Sequence, residues 1–176
     1  GLFIERYDQQ GGIRIETFAE LEEYSWYVAG TVGTLATELL VPAASAEQAE
    51  TMRESAESYS HLLQFVNVAK DAFEDYRTEN NVYIPSALLA EHGLEPDDLG
   101  DPSRATDFAP VVRTIANRAE GYADAARTWI GAMPNAIGAT RSAVAVPFLL
   151  AIATIRELTT RPEDVVAEGG VKVDRE

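Results

Sequence analysis

Apolar residues recur every three or four positions along this chain, the repeat of a helix, and no stretch sustains the alternation of a half-buried strand. Residues 1–8 read as the end of a helix, closed by Gly11-Gly12. Thr17, with Glu20 three residues on, reads as an N-cap with a capping box. It opens a helix through AELEEYSWYVAGTVGTLATELL that stops near Pro42. Ser45 reads as the cap of a long second helix. Glu47 and Glu50 lie in its first turns, where the helix dipole favours acids, and Asn80-Asn81 ends it. A short extended piece (VYIP), a short helix (SALLAEHG) and a turn-rich loop over Glu95–Pro102 follow. A third long helix is predicted over Asp107–Met133, and after Pro134 and Gly138 a fourth, very apolar one to about Thr159. The remainder, RPEDVVAEGGVKVDRE, reads as an irregular surface tail. The pattern predicts an all-α fold, with four main helices and short connections arranged as a helical bundle.

Length and composition narrow the picture. A chain of 176 residues fits one domain with a sizeable core, and 46% hydrophobic residues excludes a disordered chain. Without cysteine there is neither a disulfide framework nor a thiolate zinc site, which fits a reducing compartment. Twenty-nine acids face 14 basic residues, a net charge of −15, so nucleic acid is excluded as a partner by phosphate repulsion. Lys70 and Lys172 are the only lysines. Acid richness with so little lysine is expected of a protein from a high-salt cytoplasm of haloarchaeal type, where salt screens charge within a few Å; an acidic mesophilic protein is the alternative. The longest apolar run, Ala143–Ile155, has 13 residues. A bilayer needs about 20, so a core helix is expected rather than a membrane span. The start at Gly1, directly inside the apolar LFIERY stretch, reads as a cut through a larger protein.

One helix face carries candidate chemistry. Gln64, Asn67, Asp71 and Asp75 are spaced three, four and four apart, on one side of the second helix, with Glu74 beside them. Leu62, Leu63, Phe65, Val66, Val68, Ala69, Ala72 and Phe73 surround this polar stripe. Two carboxylates one turn apart repel each other. They are comfortable facing bulk water, or facing a cation. Mg²⁺ bridging such a pair to a diphosphate would neutralise the leaving group's charge, while the two amides would bind water, diphosphate oxygen or substrate. In so acidic a chain the bland alternative for the carboxylates alone is a solvated face.

The surrounding text resolves the chemistry by resemblance. QFVNVAKDAFEDY followed by NVYIP is similar to the second acidic motif of squalene and phytoene synthases, with Lys70 standing where that family usually has Arg. EYSWYVAGTVG resembles the family's Y-C-x-Y-V-A-G-x-V-G block, with Ser25 in place of Cys. VPFLLAIATI, then GGVKVDRE, resembles the apolar helix and tail of squalene synthases. The resemblance covers nearly the whole chain, in family order. It implies the C-terminal part of a single isoprenoid-synthase bundle over residues 1–176, with its N-terminal helices absent.

The activity so implied is head-to-head condensation of two farnesyl diphosphates to squalene, through a cyclopropyl diphosphate and with NADPH reduction. Phytoene synthesis from geranylgeranyl diphosphate without reductant is the alternative. A non-enzymatic acidic helical interaction module is a third reading. By resemblance, Tyr27 with Asp71 and Asp75 would be catalytic, the two aspartates holding Mg²⁺. Gln64, Asn67, Lys70, Glu74, Val146, Leu149 and Leu150 would bind substrate, and Lys172 and Arg175 would bind NADPH. Gly30 and Gly33 would serve close helix packing or leave room for the isoprenoid chain. The family's first acidic motif has no counterpart upstream of Tyr27. The expected partner is therefore the missing N-terminal half of the same fold, without which the fragment is expected to be inactive and to expose apolar faces. The expected location is the cytoplasm, with peripheral membrane contact.

Overall fold

The computed structural model describes residues 11–170. Its helices are α1 (Phe18–Ser25), α2 (Thr31–Leu40), α3 (Ala46–Glu79), α4 (Ser86–Glu91), α5 (Ala105–Glu120), α6 (Ala123–Ala132), α7 (Gly138–Thr160) and α8 (Asp164–Ala167). Among the described residues there is no strand, only an isolated parallel bridge between Arg14 and Val82. The fold is all-α.

The caps behave as their chemistry requires. Thr17 Oγ1 accepts from the Glu20 N–H at 3.2 Å. Ser45 and Gln48 form a reciprocal capping box at the start of α3. Asn80 ends α3 in the left-handed region, φ 55°, a conformation asparagine tolerates better than most residues. Its carbonyl and side chain receive the Arg14 guanidinium. Ile13 and Ile15 exchange backbone hydrogen bonds with Val82. These contacts tie the segment entering α1 to the far end of α3.

α3 is the axis of the molecule. α6, α5, α7 and α2 all pack against it. Met52, Leu62 and Phe65 are fully buried along it and meet Phe108, Val112 and Ile115 from α5 and Trp129 from α6 in one core.

Three expectations are corrected. The helix predicted through Phe18–Leu40 contains a π-turn at Trp26–Gly30. The helix predicted over Asp107–Met133 is two, broken at Gly121-Tyr122, and both halves pack against α3. The tail is not wholly an irregular surface segment: α8 buries Val165 and Val166, an adjacent apolar pair too short to show periodicity. The loop after α4 also gains order, in 3₁₀ turns at Pro96–Gly100 and Pro102–Arg104. The helix expected over residues 1–8 lies outside the described residues.

The segment Asn135–Thr160 is long and apolar enough, by length and composition, to cross a membrane. The sequence run was shorter because Arg141 and Ser142 interrupt it. Phe148, Ala151, Thr154, Ile155 and Leu158 of α7 pack into the bundle, but most of its apolar stretch is exposed, so it is not the core helix expected from the sequence.

Candidate active site

The polar stripe of α3 lies at the edge of a groove. Leu63, Val66, Asn67 and Lys70 of α3 face Pro147, Leu150, Ala151 and Thr154 of α7 across a space of about 380 Å³. The walls are mostly hydrocarbon. Asn67 and Lys70 supply the polar end. The structure thus brings together Asn67, Lys70 and Leu150, three residues singled out in different parts of the sequence.

Asp71 and Asp75 continue along α3 from this polar end, both half-exposed. Lys70 Nζ forms an ion pair with the Asp71 carboxylate. Burial, and then the charges of Asp71 and Glu79, push the Asp75 carboxyl up to about 6; Lys70 opposes this and Glu74 adds to it. Glu74 is exposed and turned to Arg77, 3.2 Å away. Gln64 is half-buried. Among the described residues no group of three acids or histidines is arranged to hold a metal. Two carboxylates one turn apart nonetheless fit Mg²⁺, which is commonly held by one or two carboxylates, waters and substrate phosphates. The repulsion from Asp71 that adds to burial in raising Asp75 is the interaction a cation would relieve.

Sequence reasoning stopped the stripe at Asp75. Glu79 extends it by another four residues and ties it to the following turn. The Asn81 amide donates to Glu79 at 2.8 Å and to the Tyr83 hydroxyl at 3.2 Å. Tyr83 packs on Tyr24 with ring centroids 5.0 Å apart. Burial, Tyr24, Asp75 and Glu79 all push its phenol up. The regular spacing 71, 75, 79 was the available signal.

Tyr27 lies in a different place. It projects from the π-turn, 56% exposed, with Trp26 edge-on to it at 5.3 Å. It lines a separate groove with Glu22, Glu54 and Glu57. Beside that groove Glu22 is held by Arg118 and by the Tyr122 hydroxyl at 2.9 Å. Burial pushes the Glu22 carboxyl up, but these partners outweigh it and hold the group below the ordinary range. π-turns that interrupt α-helices are frequent at functional sites.

A family model described as squalene/phytoene synthase matches residues 5–176. The chain belongs to the squalene/phytoene synthase family. It is 30% identical over 171 residues to a bifunctional lycopene cyclase/phytoene synthase of Arthroderma gypseum, covering 95% of this chain and 28% of that protein. It is 35% identical over 115 residues to the phytoene synthase of Thermus thermophilus, covering 65% and 36%. Against the squalene synthase of Gibberella zeae the identity is 27% over 162 residues, covering 92% and 34%. The crystal structure of a squalene synthase from Alicyclobacillus acidocaldarius shares the fold, with a TM-score of 0.68 at 21% identity over 87% of this chain and 54% of that one. The chain thus spans about a third of these curated relatives and about half of the solved neighbour.

The family's prenyltransferase character suits the groove, which is apolar along its length and polar at one end. Large apolar residues are also exposed: Val28, Val32, Leu35 and Leu39 between the π-turn and the end of α2, and Val146, Leu149 and Leu150 on α7. Val146 and Leu149 project into the open rather than into the groove's lining. Lys172 and Arg175 lie outside the described residues. The two glycines of the motif block have separate uses. A Cβ on Gly30 would lie 2.9 Å from the Trp26 ring, and one on Gly33 would press on α3. Both serve close packing.

Proposed function

We propose that the protein carrying this chain joins two prenyl diphosphates head to head, and that α3 supplies one side of the diphosphate site. The observation that carries this reading is the groove itself: hydrocarbon walls from α3 and α7, Asn67 and Lys70 at its polar end, and Asp71 and Asp75 beside it. Magnesium bound by the two aspartates would neutralise a departing diphosphate. Lys70 and Asn67 reach the same oxygens, with Lys70 acting as a point charge. Gln64 and Glu74 flank the stripe. Tyr27 offers a phenol oxygen and a π face to a carbocation.

Squalene formation from farnesyl diphosphate, with NADPH as reductant, is the finer reading. It is supported by the AIATI helix and by the GGVKVDRE tail, in which Lys172 and Arg175 would meet the phosphates of the nicotinamide cofactor. Phytoene formation from geranylgeranyl diphosphate, without reductant, is supported by the names of the two relatives at 30% and 35% identity. The acidic pair on α3 is one side of a metal clamp. The expected partner is the rest of such a fold, seated on the exposed apolar residues of α2 and α7. A hydrocarbon product would favour a cytoplasmic enzyme touching the membrane surface.

The test is product analysis of the full-length protein with Mg²⁺ and either diphosphate, in high and low salt, with and without NADPH. Squalene made only with NADPH supports the first reading, and phytoene made without it supports the second. Asp71→Asn and Asp75→Asn are each expected to cut turnover by about a hundredfold or more. No turnover of either diphosphate would overturn the proposal. Residues 1–176 alone are expected to be inactive, and activity equal to that of the longer protein would refute the one-sided clamp.

A further inference from the structure

The groove between α3 and α7 runs toward a point where the two helices are hydrogen-bonded to each other. On α3 its lining steps from Lys70 through Asn67 and Val66 to Leu63, and the next position on that face is Tyr59. On α7 it steps from Thr154 through Ala151 and Leu150 to Pro147, and the next is Val144. At this point the two helices are joined: the Tyr59 hydroxyl donates to the Val144 carbonyl at 2.9 Å. Behind the bridge, the Tyr59 ring packs on Trp129 with centroids 4.7 Å apart. Trp129 is itself fixed, its Nε1 donating to Thr37 Oγ1 at 3.0 Å and that hydroxyl donating in turn to the Gly33 carbonyl at 2.8 Å.

We infer that Tyr59, bridged to Val144 and backed by Trp129, is the end wall of the groove and sets the length of hydrocarbon chain it admits. The inference rests on the prenyl diphosphate reading of the site. From Lys70 to Tyr59 the groove runs eleven residues along α3, about 16 Å at the helical rise. A prenyl chain with its diphosphate at Lys70 therefore extends toward Tyr59 and stops there. The bridge also ties down the start of α7. Pro147 cannot donate to the Ala143 carbonyl, so a rung is missing from the helix ladder. Moreover, no residue of α7 before Phe148 is fully buried. Tyr59 adds an anchor to a segment that otherwise packs on the core only through half-buried residues such as Ile137 and Val144.

The experiment compares the full-length protein with its Tyr59→Phe and Tyr59→Ala variants. The readout is the ratio of kcat/KM for farnesyl against geranylgeranyl diphosphate. Tyr59→Ala is expected to shift the ratio toward the longer chain by about tenfold or more. Tyr59→Phe, which keeps the ring and loses the bridge, is expected to shift it severalfold in the same direction. Ile115→Val, a fully buried α5 position outside the groove lining, serves as the control expected to leave the ratio unchanged. A ratio constant within about twofold in both Tyr59 variants, each folded by circular dichroism, would overturn the inference. A second readout does not depend on turnover. Trp129 is read in the full-length protein as the difference between its emission and that of the Trp129→Phe variant. Its emission is expected to shift with farnesol, to be unmoved by inorganic pyrophosphate, and to respond to longer alcohols only in Tyr59→Ala. If the wild-type protein turns over neither diphosphate but its emission behaves in this way, the reaction assignment fails and the end wall stands. No shift with farnesol would sink the end wall itself.

Discussion

A Cβ on Gly33 would lie 2.3 Å from Ser60 Oγ and 3.4 Å from the Ala56 carbonyl oxygen, so α2 meets α3 through bare backbone. In an open helix, Gly→Ala gains about 1 kcal/mol. Here the methyl has to push two helices apart, and overpacking of this kind costs about 1–3 kcal/mol. Gly33→Ala is expected to lower Tm by several degrees. Gly131→Ala in α6, where a Cβ meets nothing within 4 Å, is expected to leave Tm unchanged or raise it. Thermal unfolding of both variants checks the contrast, and equal effects would refute it.

Ser25 Oγ is fully buried and has no hydrogen-bond partner. A buried hydroxyl left unpaired costs about 1–3 kcal/mol. Ser25→Ala is therefore expected to stabilise the fold by about 1 kcal/mol, read from the urea midpoint at constant slope. A loss of stability would show that the hydroxyl finds a partner in solution.

Asp75 has its folded pKa raised to about 6. Its protonated form is thus favoured by the fold. The stability it contributes is fully present below the ordinary aspartate pKa and is lost as pH rises through about 6. Without divalent metal, the wild-type chain is expected to lose Tm between pH 4 and 7 relative to Asp75→Asn. Millimolar Mg²⁺ at pH 7 is expected to restore the wild-type Tm and to leave the variant unmoved. A pH profile identical in the two proteins would place the charge elsewhere.

Much of this was legible in the sequence because the physics is local. Ser45 and Thr17 cap helices by bonding amides three residues away, and the spacing of Gln64, Asn67, Asp71 and Asp75 maps onto a helix face without any knowledge of neighbours. The extension to Glu79 was legible in the same way. What escaped depended on contacts distant in the chain. The far wall of the groove comes from α7, some eighty residues beyond Val66, and nothing local says that Thr154 faces Lys70. Gly121 sits where two helices, each packed on α3, replace the one that the periodicity predicts. Val165 and Val166 form too short a pair to announce their burial. Tyr27 is paired with the aspartates only through its motif, and nothing local in the sequence says that it lines another groove.

The π-turn decides which side of α2 is which. Ser25 and Gly33 are separated by eight steps, and at about 100° per residue a regular helix would leave them about 80° apart. A π-turn absorbs one extra residue and brings them within about 20° of a common face, so Leu21, Ser25, Gly33 and Thr37 all point inward. Losing any single residue between Trp26 and Gly30 would restore an uninterrupted α-helix while preserving that phase. Straightening the turn without a deletion would instead rotate α2 by about a quarter-turn, carrying Gly33 off Ser60 and Thr37 off Trp129. This stretch is therefore a place where shortening the chain by one is gentler than regularising it.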